Sequence, residues 1–304
     1  MGHDGRYAPS PSGPLHLGNL RTALLAWLFA RSAGARFLLR VEDLDRGRSR
    51  PEHEAGQLRD LAAIGLDWDG EIVRQSERDA LYAEAIAQLD TYPCYCTRAE
   101  IREAAQAPHG AWRPYPGTCR ELTAAQRAER EASGRPPALR VRVPPGTTVA
   151  FTDRVLGPRS GPVDDLVVRR NDGTAAYNLA VVVDDADQGV GEVVRGADLI
   201  DATPGQLHLY DALGLPRPTH AHVPLVLAPD GTRLAKRHGS VTLADRAARG
   251  ESATDVAARL LRSVGLPGDL QAARAAFDPV ALPSEPTVLS ADELVASSAT
   301  SNRK

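Results

Sequence analysis

A polar loop rich in proline and glycine, residues 6–19, precedes an apolar stretch that is predicted to be helical. A helix N-terminus offers unpaired N–H groups and the positive end of a dipole, so it is a natural anion site. His16 and Asn19 stand where their side chains could assist. The loop therefore suggests phosphate binding, although an ordinary strand-to-helix turn has the same local pattern.

A second loop, residues 232–239, carries one ammonium group. Of 36 lysines and arginines, only Lys236 and the last residue, Lys304, are lysines. A GC-rich coding sequence accounts for most of this bias. Lysine is a compact point charge on a flexible stem, whereas arginine is a planar fork. Lys236 thus marks a place where the fork does not serve, and its polar, glycine-flanked loop suggests phosphate chemistry.

Three cysteines, Cys94, Cys96 and Cys119, fall in one short stretch. An odd number in a chain that is expected in the cytosol argues against a disulfide framework. The remaining interpretations are a metal site and three reduced structural cysteines.

Composition indicates a globular enzyme with one large or two modest domains in 304 residues. No apolar run is long enough to cross a bilayer, and the N-terminus lacks the order of a signal peptide, so we expect a cytoplasmic protein without membrane contact. With a net charge of −3, the chain lacks the overall positive field that is typical of nucleic-acid-binding proteins. Clustered arginines, such as Arg46, Arg48 and Arg50, fit either a local basic face or solvated surface.

The first ninety residues predict strands that alternate with helices. Residues 20–30 have helical apolar spacing and Gly34 suits the C′ position, after which residues 37–41 form a predicted strand. A helix is predicted from Pro51 to about Gly65. Another is predicted to run through Leu89 behind a capping box of Ser76 and Asp79. This order predicts a parallel sheet with crossover helices.

The middle of the chain has a different pattern. Residues 94–134 are loop-rich, residues 138–143 alternate like a half-exposed strand, and Asp172-Gly173 is a turn signal. The apolar residues 179–183, followed by Asp184-Asp185, are predicted to resume the sheet. After Arg249 one helix is predicted, at 255–264, and the tail from Ser284 is expected to fray.

Several of these motifs together resemble a known family. They are Arg-Tyr-Ala-Pro-Ser-Pro-Ser-Gly from Arg6, His-Leu-Gly-Asn from His16, Arg-Val-Glu-Asp-Leu-Asp from Arg40, Arg-Gly-Ala-Asp-Leu from Arg195 and Arg-Leu-Ala-Lys-Arg from Arg233. They resemble the catalytic domain of glutamyl-tRNA synthetases, and the resemblance covers about residues 6–245. Separated motifs in the right order are far more specific than any one of them.

The resemblance implies an α/β fold, the Rossmann-like catalytic domain of class I aminoacyl-tRNA synthetases over residues 1–245. Its halves are expected at about 1–90 and 176–245, with a zinc-bearing insertion at about 91–175. Residues 246–304 are expected to be a short helical remnant, too short for a full anticodon-binding domain by ordinary size priors. The chain is most similar to the shortened branch of the family, the glutamyl-Q tRNA(Asp) synthetases.

In that branch a structural Zn²⁺ is held by a pattern that matches Cys94, Cys96, Tyr115 and Cys119. Three thiolates need a fourth ligand for tetrahedral closure, and the resemblance supplies Tyr115. His109 is the alternative, because it is nearby and histidine is a commoner zinc ligand.

The resemblance also implies the substrate contacts. Bidentate forks of Arg6 and Arg195 would bind the carboxylates of glutamate. Glu42 would pair with its ammonium group, Tyr177 would shape the pocket and Ser10 would add a hydrogen bond. The full set implied for glutamate is Arg6, Tyr7, Ala8, Pro9, Ser10, Glu42, Tyr177 and Arg195. Which arginine takes the side-chain carboxylate stays open.

For ATP the resemblance implies His16, Gly18, Asn19 and Lys236, with His16 and Lys236 as catalytic residues and Mg²⁺ accompanying ATP. Adenylation is an in-line displacement that needs charge stabilisation on phosphate oxygens. Two departures from the family pattern are expected to affect the rate of the reaction more than its class. Arg233 and Ala235 stand where relatives carry Lys and Ser in the signature loop, and Ala186 stands where relatives commonly carry His.

The implied activity is ATP-dependent, tRNA-independent activation of L-glutamate and its transfer to queuosine in the anticodon of tRNA(Asp), by an enzyme that we expect to be monomeric. One alternative is a shortened conventional glutamyl-tRNA synthetase that charges a tRNA 3′ end. The other is a non-catalytic, synthetase-derived tRNA-binding protein. The presence of Arg6, His16, Glu42, Tyr177, Arg195 and Lys236 weighs against the last.

Overall fold

A computed structural model describes residues 3–97, 100–101, 115–228, 231 and 241–288 of the chain. Lys236 with the rest of its signature loop, and His109, lie outside the described residues.

The described residues form nine α-helices and twelve strands. The helices are α1 Leu17–Ser32, α2 Pro51–Ala63, α3 Asp79–Ala87, α4 Ala124–Ala132, α5 Tyr177–Asp187, α6 Thr203–Ala212, α7 Leu243–Ala247, α8 Ala253–Arg262 and α9 Leu270–Ala276. The strands are β1 Gly5–Tyr7, β2 Phe37–Val41, β3 Val73–Arg74, β4 Thr91–Cys94, β5 Ala138–Val141, β6 Thr148–Asp153, β7 Gly157–Pro162, β8 Val167–Arg169, β9 Glu192–Gly196, β10 Thr219–Val223, β11 Val226–Leu227 and β12 Thr287–Val288.

The main sheet has seven strands in the order β3-β2-β1-β9-β10-β6-β7. All neighbours are parallel except β6 and β7, which form an antiparallel hairpin at one edge. The strand order reverses between β1 and β9. In open parallel sheets a crevice forms outside the carboxyl ends of the strands at such a reversal, and ligands bind there. The fold therefore places Arg6 and Arg195, which belong to β1 and β9, side by side at the expected ligand crevice.

Helices that cover the sheet bury two apolar cores. The first joins α1 to α8 through residues such as Leu20, Leu24, Leu260 and Leu261. The second joins α3, α5 and α6. The α/β class with a parallel sheet, predicted from the sequence, is confirmed.

Local predictions in the first half agree closely with the structure. The buried helix α1 ends at Ser32, and Gly34 follows at a φ of 67°, as a C′ glycine requires. Strand β2 has the predicted bounds, and α2 begins at Pro51. The predicted capping box of Ser76 and Asp79 was wrong. Ser76 lies in a 3₁₀ turn and donates its hydroxyl to Asp43, and α3 has no side-chain cap.

The apolar run 179–183 with Asp184-Asp185 was predicted as sheet, and this was wrong. It forms the buried helix α5. Periodicity cannot distinguish a short apolar strand from a helix that is buried on every side. The change matters for function, because the carboxylates of Asp184 and Asp185 belong to a helix that packs on the sheet and not to a strand within it.

The segment assigned to an insertion is divided between two sheets. β4, β5 and β8 form a separate antiparallel sheet that adjoins the cysteines. β6 and β7, residues 148–162, instead extend the main sheet, where Asp153 pairs with His220 of β10. The domain boundaries at 90, 176 and 245 remain our proposal.

The C-terminal segment contains a second helix, α9, that the sequence did not predict, besides the predicted α8. Both pack on α1, so this segment joins the first core. Over the described part of the chain, no helix has the length and hydropathy needed to span a bilayer.

Candidate active site

A cleft of about 1340 Å³ opens at the carboxyl ends of β1 and β9. Its walls include every residue that the sequence implied for glutamate and ATP, except Lys236, which lies outside the described residues. These residues are Arg6, Tyr7, Ala8, Pro9, Ser10, His16, Gly18, Asn19, Glu42, Tyr177 and Arg195. Residues up to 189 positions apart in the chain, Arg6 and Arg195, are thus brought to one cavity.

Arg6 is held by a buried carboxylate. Its Nε and Nη2 donate to the two oxygens of Asp185 on α5 over 2.8 and 3.1 Å. The same carboxylate accepts from Nη1 of Arg40 over 2.7 Å. Burial raises the pKa of Asp185, but the two guanidinium groups outweigh burial and lower that pKa to about 2. Arg6 is therefore fixed in orientation by a charged partner, shared with Arg40, that the sequence did not identify.

Glu42 lies beyond the end of β2, on the same side of the cleft as Arg6. One of its carboxylate oxygens lies 3.4 Å from Nη2 of Arg40. Burial raises the pKa of Glu42, and the nearby Arg40 and Arg6 counteract it. A carboxylate that is this poorly solvated gains from a cation, so Glu42 is suited to an ammonium group. Tyr177, the first residue of α5, is 41% exposed and lines the same part of the cleft.

Arg195 is held differently, by uncharged groups. Its Nε donates to Nε2 of His222 over 3.1 Å, and its Nη2 donates to the Thr203 hydroxyl over 2.9 Å. Nδ1 of His222 in turn lies 2.6 Å from Oδ2 of Asp153. Burial lowers the pKa of Arg195 and that of His222. Sequence reasoning missed His222 and Asp153, although the alternation of His220 and His222 along a strand was a usable signal.

The N-terminus of α1 forms the opposite wall. His16 is its N-cap, and Nδ1 of the ring accepts from the backbone N–H of Asn19 over 3.3 Å. The Asn19 side chain accepts from the backbone N–H of His16 over 3.2 Å, which completes a capping box. Burial lowers the pKa of His16. The ring is thus neutral near pH 7, with its proton on Nε2, and can donate one hydrogen bond into the cleft.

Gly18 keeps space for that ring. A Cβ at this position would lie 3.1 Å from both Cε1 and Nδ1 of His16. The loop before the helix is held by Gln57 of α2, whose amide donates to the carbonyls of Ser10 and Gly13 over 3.0 and 2.7 Å. Gln57 is a positioning residue that the sequence did not reveal.

The three cysteines form a second cluster beside the small sheet. The Sγ atoms of Cys94, Cys96 and Cys119 lie within 4.8 Å of one another and could hold a metal ion. The hydroxyl of Tyr115 lies 3.4 Å from Sγ of Cys94 and 3.9 Å from Sγ of Cys96. A tetrahedral zinc ion with ordinary bond lengths separates sulfur and oxygen ligands by about 3.5 Å. The donor set therefore fits zinc, with Tyr115 at the fourth corner.

A cation supports this cluster. The guanidinium carbon of Arg140 lies 3.7 Å from the centre of the Tyr115 ring. Burial raises the pKa of the Cys94 thiol, but hydrogen bonding with Tyr115 and the charge of Arg140 outweigh burial and lower that pKa. Arg140 thus favours the thiolate form of Cys94. His109 lies outside the described residues.

A family model described as "tRNA synthetases class I (E and Q), catalytic domain" matches residues 4–272. A protein of Nocardia farcinica named glutamyl-Q tRNA(Asp) synthetase is 59% identical over 97% of this chain and 96% of its own length. The chain belongs to the glutamyl-Q tRNA(Asp) synthetase family of class I synthetases. As a member of that family it is a ligase.

Other relatives support membership of the glutamyl-Q tRNA(Asp) synthetase family. A protein of the same name from Symbiobacterium thermophilum is 50% identical over 96% of this chain and 97% of its own length. The crystal structure of a glutamate-tRNA synthetase from Elizabethkingia anophelis superimposes with a TM-score of 0.82 at 26% identity, covering 97% of this chain and 69% of that one. The class I catalytic fold predicted from the motifs is confirmed.

Proposed function

We propose that this protein activates L-glutamate with ATP to glutamyl-adenylate and transfers the glutamyl group to queuosine in the anticodon of tRNA(Asp). The observation that carries this proposal is the cleft, which joins two buried arginines and Glu42 to a capped helix N-terminus. Two guanidinium forks and one carboxylate match the two carboxylates and one ammonium group of glutamate. The family's printed name supports queuosine as the acceptor.

Glutamate is held first in this proposal. Arg6 and Arg195 bind its carboxylates, and Glu42 binds its ammonium group. Tyr177 closes the pocket at the N-terminus of α5, and the segment from Tyr7 to Ser10 forms the floor. Because the two arginines are fixed by Asp185 and His222, they need little reordering when glutamate binds.

ATP lies against the opposite wall. The neutral His16 ring donates from Nε2 to a phosphate oxygen, and the backbone N–H of Gly18 in the first turn of α1 adds a second donor, while Asn19 holds the His16 ring through the cap. Lys236 supplies the flexible cation that stabilises the negative charge on the phosphate oxygens during displacement. Mg²⁺ enters with ATP as part of the substrate. We propose that the reaction takes place in the cytoplasm, where ATP, glutamate and tRNA meet, and that the protein acts as a monomer.

The acceptor is tested with radiolabelled glutamate, ATP and tRNA(Asp) prepared with and without queuosine. Label is expected only on tRNA that carries queuosine, and nuclease digestion should place it in an anticodon fragment. Label on the terminal adenosine, or labelling that ignores the modified base, would contradict the proposed acceptor. Absence of glutamate-dependent ATP–pyrophosphate exchange would contradict the activation step itself.

Zinc is the metal that we propose for Cys94, Cys96, Tyr115 and Cys119. A site with four protein ligands has no open position, so its role is structural. In Tyr115→Phe the oxygen donor is lost, and the affinity for zinc is expected to fall at least about tenfold, which lowers the zinc bound per chain. In His109→Ala, zinc content is expected to stay at one ion per chain. Metal analysis of the purified variants after dialysis against a weak chelator measures both, and the reverse pattern would assign the fourth position to His109.

A further inference from the structure

The two arginines of the cleft are compensated in different ways. Arg6 shares the carboxylate of Asp185, whereas the hydrogen bonds that Arg195 donates within the described residues all go to uncharged acceptors. An arginine that is hydrogen-bonded but not in contact with a carboxylate keeps more of its attraction for an incoming anion than an ion-paired one. What fixes Arg195 without neutralising it therefore matters for substrate binding.

The direction of each hydrogen bond can be assigned. Arginine donates and cannot accept, so Nε2 of His222 must be unprotonated to face Nε of Arg195 at 3.1 Å. The proton of the neutral ring then sits on Nδ1 and is donated to Oδ2 of Asp153 over 2.6 Å. The Thr203 hydroxyl accepts from Nη2 of Arg195 and lies 3.2 Å from Nε2 of His222, which closes the ring of contacts.

Asp153 is itself held rigidly. Its Oδ1 accepts from the backbone N–H groups of Val155 and Leu156 over 3.0 and 2.9 Å, and Oδ2 accepts from that of His222 over 3.1 Å. The side chains of Asp153 and His222 are fully buried. A fixed carboxylate therefore sets the tautomer and the plane of the imidazole, as in other carboxylate–histidine pairs.

We propose that Asp153 and His222 are positioning residues that aim Arg195 at a carboxylate of glutamate without placing a carboxylate of the described residues in direct contact with its guanidinium group. This inference rests on the proposed function. A carboxylate in direct contact would fix Arg195 equally well, but it would compete with the substrate for the same charge. The neutral imidazole avoids that competition, because it transmits orientation and not charge. The cleft should accordingly favour a carboxylate over an uncharged group at this position.

Two isosteric replacements separate the two hydrogen bonds of the His222 ring, one with Arg195 and one with Asp153. The amide of Gln reaches the position of Nε2, so His222→Gln keeps an acceptor for Arg195. The amide of Asn reaches only the position of Nδ1, so His222→Asn keeps the donor to Asp153 and loses the acceptor. A hydrogen bond to a charged group typically changes affinity by about tenfold or more. We expect His222→Asn to raise the KM for glutamate at least about tenfold and kcat to change less than about threefold, whereas His222→Gln stays within about threefold of wild type in KM.

His220→Asn is the matched control. His220 lies on the same strand, is 3% exposed against 0% for His222, and stacks on His222 with a ring separation of 6.0 Å. Its ring takes no part in the hydrogen bonds that join Asp153, His222 and Arg195. The assay is glutamate-dependent ATP–pyrophosphate exchange, with the KM for ATP and the thermal midpoint measured beside it. A KM for glutamate that is unchanged in His222→Asn, or raised equally in His222→Gln or His220→Asn, would overturn the inference alone. Wild-type protein without any exchange would overturn the proposed function and the inference with it.

Discussion

Replacing Asp185 with Asn is expected to lower the free energy of unfolding by about 3–5 kcal/mol, because it removes the shared partner of two buried cations. The asparagine amide also directs N–H groups at guanidinium groups that have only N–H to offer. Arg40 retains nearby carboxylates in Asp184 and Glu42, whereas Arg6 loses its charged partner and at least one of its two short contacts. We therefore also expect a loss of orientation at Arg6 and a rise of at least about tenfold in the KM for glutamate.

Chemical denaturation and the exchange assay measure these two effects. Asp187→Asn is the matched control, since Asp187 lies on the same helix, is half exposed and pairs with Arg78 at the surface. Its loss of stability is expected to stay below about 1 kcal/mol. An Asp185→Asn variant as stable as the Asp187→Asn variant would show that the Arg6–Asp185–Arg40 cluster does not hold the fold together.

The same carboxylate predicts a pH dependence. The pKa of Asp185 is lowered in the folded chain from 3.8 to about 2. A lowered folded-state pKa stabilises the protein above the unfolded value, and that contribution is lost as the pH falls through the folded value. The stability difference between wild type and Asp185→Asn should therefore be constant above about pH 5 and shrink as the pH falls from about 4 towards 2. A difference that stays constant across this range would contradict the assigned charge.

Replacing Lys236 with Ala is expected to lower kcat of glutamate-dependent ATP–pyrophosphate exchange by about 10²–10³-fold, the usual effect of losing one group that stabilises transition-state charge. The KM for glutamate should change far less, because the glutamate contacts come from other elements. His16 cannot replace the lost cation, since burial lowers its pKa and its ring is neutral near pH 7. Steady-state exchange with each substrate varied in turn separates the two parameters.

Lys236→Arg is the informative partner of that variant. It keeps the charge but replaces a mobile point charge with a planar fork. An intermediate rate is expected if mobility matters in addition to charge. Exchange at the wild-type rate in Lys236→Ala would remove Lys236 from the mechanism.

Much of the catalytic fold was predictable from local signals. The proline- and glycine-rich loop that ends in His16 and Asn19 predicted the start of an apolar helix, and α1 begins there; the capping box that these two residues form was found only in the structure. The strand 37–41, the helix from Pro51 and the cluster of three cysteines are also local in origin. Residue types at fixed spacing determine such features, because caps, turns and close ligands act over a few positions.

Contacts between distant segments were not predictable in the same way. Residues 179–185 were expected to be sheet but form a helix. The apolar run is too short for its periodicity to distinguish a strand from a helix that is buried on every side. Arg6 and Asp185 are 179 positions apart, and Asp153 and His222 are 69 apart. Asp153 even lies in a hairpin that the sequence assigned to an insertion.

The sequence by itself indicated the side chains to which we assign the chemistry: two arginines, a glutamate, a histidine at the start of a helix and a lysine in a signature loop. Only the tertiary structure decided how each charge is balanced. Arg6 shares the carboxylate of Asp185 with Arg40, while Arg195 is aimed through a neutral imidazole. The physical reason is that the partner of a buried charge is set by the packing of α5, β6 and β10 around the cleft, and neither residue type nor spacing encodes that packing locally.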